Sequence, residues 1–208
     1  MPPYNYPGVS LAIQDKLEEL GLQPHHLMLI GSFIVAYGMF ETTLERALWT
    51  LRETSIEGIR PFTEKMNTEA QFQMLGAGNP KLSDKCNAVL KVAARAAEDL
   101  NEYRNSLVHG YIVSLGPDHV PSFMKNPHWY GASGRKKTVG DAYIDEPFQD
   151  LVLIAAWSLW RLVQRVEKVF EDPSAQAEIE ELKADIDRAK SYASEVCHQR
   201  SLANHEKS

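Results

Sequence analysis

Apolar residues recur at helical spacing through most of this chain. Leu90, Ala93, Ala97, Leu100, Tyr103 and Leu107 follow steps of three and four, which predicts a helix from about Ser83 to His109 with one buried stripe. Lys91, Arg95, Glu98, Glu102, Asn105 and His109 lie off that stripe, and Arg104 sits at its edge. A second long helix is predicted over about His25–Arg52, opened by Pro24, which suits a first turn. Its stripe is Ile30, Ile34, Tyr37, Leu44, Leu48 and Leu51. Before it, Leu11, Ile13, Leu17 and Leu20 indicate a short helix over Ser10–Leu20, ended by Gly21 and preceded by a Pro-rich extended arm. Glu69–Leu75 reads as another short helix. The following Gly76-Ala77-Gly78-Asn79-Pro80 reads as a linker, since it lacks the Lys and Ser/Thr of a phosphate-binding loop.

The rhythm breaks between residues 111 and 146. Tyr111–Val113, Ser122–Met124 and Thr138–Ile144 are predicted as short strands, punctuated by Pro117, Pro121, Pro127, Gly131 and Gly134. Pro147 then opens a helix to Glu171. Its Leu151–Trp160 portion is apolar nearly all round, apart from Ser158, as in a helix central to a bundle or shared with a second chain. After Pro173, Ala175, Ile179, Leu182, Ile186, Ala189, Ala193 and Val196 keep alternating steps of four and three, the pattern of a helix docked along another helix. The expected fold is mainly α: an up-and-down helical bundle of four to five helices with a small β or irregular insertion. Residues 1–23 form an arm and short helix, 24–171 the bundle, and 172–208 an amphipathic helix with a frayed tail.

One charge interrupts a stripe. Position 41 lies four after Tyr37 and three before Leu44, and it is Glu41. Either the stripe opens to solvent there, or the carboxylate faces a polar pocket, because a lone buried carboxylate is very costly. Arg104, at the edge of its own stripe, is the natural partner.

Composition narrows the classes. Of 208 residues, 44% are hydrophobic, which fits a globular chain. No uninterrupted apolar run reaches the ~18 to 20 residues of a membrane span, and the start lacks a basic residue followed by an apolar run, so no membrane association and no secretory signal are expected. Two cysteines, Cys86 and Cys197, are too few for a disulfide framework and fit a reducing cytoplasm. His25, His26, His119, His128 and His198 show no metal-ligand spacing, so no metal site and no cofactor are expected. The net charge of −6 argues against coating nucleic acid by bulk electrostatics. Residues 119–140 carry +4, however, which leaves −10 for the rest. Within that segment Lys125, Trp129, Arg135, Lys136 and Lys137 interleave charge with aromatics, a composition suited to single-stranded nucleic acid. A solvated loop with Trp129 tucked into the core has the same composition.

The candidate chemistry is gathered in Tyr103-Arg104-Asn105-Ser106-Leu107-Val108-His109-Gly110-Tyr111. Asn105 and His109 are four apart and share a helix face. Gly110 follows at once, where a helix end favours a residue that tolerates a left-handed turn. By spacing alone these residues also suit a plain role: a cation at a helix C-terminus, a surface amide and an ion-pair partner.

Arg104, Asn105, three residues and then His109 resemble the motif of the HEPN superfamily (higher eukaryotes and prokaryotes nucleotide-binding). Tyr111 matches the variant Arg-x4-His-x-Tyr of HEPN toxins paired with nucleotidyltransferase antitoxins. The resemblance spans roughly Ile30 to Phe170. It implies a metal-independent endoribonuclease, a toxin or phage-defence component, in which Arg104, Asn105 and His109 are catalytic and two motifs meet across a homodimer. It implies an RNA substrate, an antitoxin or nucleotidyltransferase as partner, and supporting roles for Glu41 and Tyr111. His109 suits proton transfer as acid or base, and Arg104 suits gripping a phosphate. The alternative is a non-catalytic HEPN-like helical dimer that binds a protein, nucleotide or nucleic acid.

Overall fold

A computed structural model describes residues 6–54, 62–124 and 142–206. Among the described residues there are seven α-helices: α1 (Tyr6–Glu19), α2 (Pro24–Leu51), α3 (Thr68–Ala77), α4 (Asp84–His109), α5 (Glu146–Val166), α6 (Ala175–Glu181) and α7 (Lys183–Glu206). Local chemistry sets several starts. Ser83 caps α4, its Oγ accepting from the Cys86 N–H at 3.0 Å, and Asn67 caps α3, its Oδ1 accepting from the Ala70 N–H at 2.8 Å. Pro24 opens α2, where the Gln23 N–H donates to His26 Nδ1 at 3.2 Å.

Four long helices, α2, α4, α5 and α7, share one apolar core. Polar bridges fix their directions. The Thr50 hydroxyl of α2 donates to the Glu167 carbonyl just past α5 at 2.9 Å, while His26 near the start of α2 feels Asp145 and Glu146 at the start of α5. Those two helices therefore run parallel. Ser83 donates to Glu180 at 2.7 Å, and further along Asp99 accepts from Lys190 at 3.0 Å, so α4 and α7 also run parallel. Asn79, just before α4, donates to the Leu51 carbonyl at 2.6 Å, and Phe33 meets Tyr103 with ring centroids 5.5 Å apart, so α2 and α4 are antiparallel. Successive long helices thus alternate in direction, giving the up-and-down bundle.

The insertion is a three-stranded antiparallel sheet of β1 (Tyr111–Val113), β2 (Ser122–Met124) and β3 (Ala142–Tyr143), in that order. Tyr111 pairs with Met124, and Phe123 with Ala142. Tyr103 ties the sheet to the bundle: its hydroxyl donates to the Tyr143 carbonyl at 2.6 Å and accepts from Gln149 Nε2 at 2.8 Å. The end of α4 is thereby held between β3 and the start of α5.

Several boundaries and faces differ from the sequence expectation. Gly110 is extended, at φ −75° and ψ 163°, because the chain leaves α4 directly into β1 without a left-handed turn. Helix α1 starts earlier, at Tyr6, and Leu11 and Ile13 are 60% and 56% exposed. Two residues apart, they lie about 200° apart on a helix and cannot share a buried face. The buried face of α2 is centred on Phe33, Phe40, Leu44 and Ala47, with Ile30 and Ile34 at its edge. Helix α5 ends at Val166, short of Glu171, and the last helical stretch is broken at Leu182 into α6 and α7. Gly76 and Ala77 belong to α3, and the turn after them is built rather than a loose linker. Gly78 takes a positive φ of +61° there, and the Asn79 N–H donates to Asn87 Oδ1 at 3.1 Å.

By length and hydropathy Pro24–Leu51 would pass as a membrane span, although polar residues interrupt its apolar runs. In this fold it carries the aromatic side of the core, with Phe33, Tyr37 and Phe40 all fully buried.

Candidate functional site

The Arg104 guanidinium lies in the gap between α2 and α4. Nη1 donates to Asn105 Oδ1 at 3.0 Å, Nη2 is 3.7 Å from Glu41 Oε2, and the guanidinium carbon sits 5.9 Å over the Tyr37 ring. The expected pairing of Glu41 with Arg104 is therefore present. It is a half-buried pair: the two side chains are 30% and 32% exposed. Burial pushes the Glu41 carboxyl above the usual carboxylate range, and Arg104 offsets part of that rise. Burial first, and Glu41 second, also push the Tyr37 hydroxyl up, so it stays a donor, to Asn101 Oδ1 at 3.1 Å. Tyr37 and Asn101 are the members of this network that motif reasoning missed. Tyr37 already stood in the apolar stripe, and Asn101 is three residues before Arg104 on the same side of α4, a spacing visible in the sequence.

His109 is the last residue of α4 and is exposed. It lies five residues beyond Arg104, about 7.5 Å along the helix axis. Asn105 is half-buried and His109 is in solvent, so one face of the helix end grades from the Arg104 network outward. Its sequence neighbours Val108 and Tyr111 are also exposed, at 48% and 42%, and β1 begins directly after Gly110. Chemically, the site offers a fixed planar cation, an amide bonded to it and an imidazole open to solvent. Lys125, Trp129, Arg135, Lys136 and Lys137, expected to contact RNA, lie outside the described residues.

Among the described residues, two cavities can be compared with the position of the site. The larger, about 780 Å³, lies between α5 and the α6–α7 break, lined by Trp157, Arg161, Arg165, Glu178 and Asp185 among others. It contains none of the motif residues. The smaller, about 210 Å³, lies between α2 and α3 and is lined by Glu41, Thr42, Glu45, Thr68 and Gln71. It touches the motif through Glu41.

No family, curated protein or solved structure matches this chain. Function is therefore read from these residues and from the motif they resemble.

Proposed function

We propose that this chain is a HEPN-like, metal-independent endoribonuclease that works as a homodimer. The observation that carries the reading is the arrangement at the end of α4. Arg104 is bonded to Asn105 and held at a half-exposed position, on the same helix end as solvent-facing His109.

The reaction follows from RNA chemistry. The ribose 2′-hydroxyl loses its proton and its oxygen bonds to the adjacent phosphorus. The bond to the 5′-oxygen of the next nucleotide breaks, and that oxygen takes up a proton. The products are a 2′,3′-cyclic phosphate and a 5′-hydroxyl. His109 serves one proton transfer and the second protomer's His109 the other, while the two Arg104 side chains hold the phosphate's developing charge. Asn105 fixes the guanidinium plane. DNA, which has no 2′-hydroxyl, should resist.

The rival reading is a non-catalytic helical dimer that binds a protein, nucleotide or nucleic acid. It is favoured by the engagement of Arg104 with Glu41, Asn105 and Tyr37 at once, which is also how a purely structural arginine is held. Incubating pure protein with single-stranded RNA in EDTA separates the two. Light scattering bears on the dimer, and a monomer at working concentration would leave each site with one histidine. A nucleotidyltransferase partner would act on Tyr111, exposed beside His109. Mass spectrometry of protein co-expressed with such an enzyme would then show a nucleotide on that residue.

A further inference from the structure

Helices α2 and α5 lie side by side and share an apolar surface that no other described residue covers. No charged residue occurs from Leu27 to Phe40 or from Leu151 to Trp160. Met28 and Val35 of α2 are 64% and 63% exposed, and Ile154 and Trp157 of α5 are 49% and 47% exposed. The two helices run parallel, with Thr50 bonded to the Glu167 carbonyl and His26 feeling Asp145, so Val35 is about level with Ile154. On one side α5 meets α2, where Arg46 lies 3.4 Å from Glu167, and on another it meets α7, where Arg161 bridges Asp185. Ile154 and Trp157 point outward between those two sides.

The size of this surface calls for a partner. From Leu27 to Thr42 a helix is about 24 Å long, and two helices each about 10–12 Å wide give a footprint of roughly 500 Å². An apolar patch of that size marks an interaction site. Two such patches together bury roughly 1,000 Å², where specific protein contacts begin.

The pattern along α5 selects the partner. Its exposed stripe reads Asp150, Ile154, Trp157 and Arg161, in steps of four, three and four. Reversed, it has the same spacing with acid and base exchanged. Laid antiparallel on a second copy, about a two-fold axis midway between Ile154 and Trp157, each Ile154 meets the other copy's Trp157 and each Asp150 meets an Arg161. Val35 lies close to the level of that axis, with Met28 and Thr42 seven residues to either side. Asp185 holds Arg161 at 3.1 Å and leaves it further N–H donors. An anionic lipid surface would instead set Asp150 and a chain of net charge −6 against its headgroups. We infer that the α2–α5 face docks antiparallel on a second copy of this chain, with Ile154 and Trp157 as its apolar anchors.

This contact goes beyond the proposed function. His109 ends α4, so the pairing of two His109 side chains uses a different surface, and the two contacts together make a pair of dimers. The test is the mass in solution, by light scattering, of wild type and Ile154→Glu. The expected result is four chains falling to two, with the dissociation constant raised roughly 30-fold or more. Ile154 is half exposed, and a melting curve would confirm that the variant folds. Two chains falling to one would keep this contact and remove the His109 pairing. A second measurement reads the geometry. Under oxidation, a chain carrying both Asp150→Cys and Arg161→Cys should form a covalent dimer, and each single variant should not. An unchanged mass in Ile154→Glu would overturn the proposal, as would a crosslink formed equally well by Asp150→Cys alone. A single-chain wild type that sediments with phosphatidylcholine–phosphatidylglycerol vesicles would also overturn it, making this face a membrane contact. Loss of mass in Ile154→Glu without RNA cleavage by wild type would leave the contact standing and remove the nuclease.

Discussion

At the scale of single residues, the pair of Glu41 and Arg104 tests how burial and charge compete. The sequence made the pairing legible, because a carboxylate inside one apolar stripe and an arginine at the edge of another are natural partners. The degree of burial was not legible. The buried face of α2 is centred on Phe33, Phe40 and Ala47, which rotates Glu41 to the rim of the core. A fully buried pair would lose roughly 3–5 kcal/mol on removal of one partner. At 3.7 Å and about a third exposed, this pair is worth less, and Glu41→Gln should change stability by about 1 kcal/mol or less at pH 7. The pH dependence has a definite sign. Because the folded carboxyl is raised, its contribution is fully present below its unfolded pKa and is lost as pH rises through the folded value. Denaturant titrations of both proteins between about pH 4 and 8 should therefore show wild type losing ground to Glu41→Gln as pH rises. A wild type that gains relative to the variant would contradict this. Tyr103 is the second informative residue. Tyr103→Phe removes the donor to the Tyr143 carbonyl and the acceptor of the Gln149 amide, whose Oε1 already has no partner among the described residues. Loss of about 1–3 kcal/mol is expected, read from denaturant midpoints.

At the scale of elements, the pieces read most accurately were those with chemical punctuation. The first two strands appear where Pro and Gly punctuation marked them, and the start of α4 follows its Ser83 cap. The break at Leu182 was illegible for a physical reason. Ile179, Leu182 and Ile186 keep three-and-four spacing straight through it, so both pieces present the same buried face and periodicity carries no signal. The end of α4 was misjudged because the rule that glycine closes a helix in a left-handed turn assumes a loop. Here a strand follows directly, and Gly110 is extended. Gly76 has a different use. A Cβ built there would lie 3.0 Å from the Ala94 Cβ, so α3 approaches α4 closely only because that position is bare. Gly76→Val should force the helices apart and cost about 1–3 kcal/mol, measured by thermal or denaturant unfolding. An unchanged midpoint would mean that α3 shifts freely.

At the scale of the whole molecule, the helical bundle with its small sheet was foreseen, and the share of the last helices in the core is the larger lesson. Ile179, Ile186, Ala189, Ala193 and Val196 are buried in the same core cluster as α4 and α5. A chain cut at Asp172 should therefore lose cooperative unfolding or fail to stay soluble, and a sharply melting truncated chain would contradict the shared core. That packing holds α4 along most of its length, while β3 and α5 hold its end through Tyr103. The clustering of Arg104, Asn105 and His109 was legible in the sequence, but the bond from Tyr37 to Asn101 depends on how α2 meets α4, which spacing within either helix does not encode. The central claim is that this helix end cleaves RNA. The most direct measurement compares wild type with His109→Ala on single-stranded RNA in EDTA. The account predicts fragments ending in a 2′,3′-cyclic phosphate from wild type, and cleavage slower by about 10²–10⁴-fold from a variant that remains folded. Equal and negligible cleavage by both proteins would contradict it.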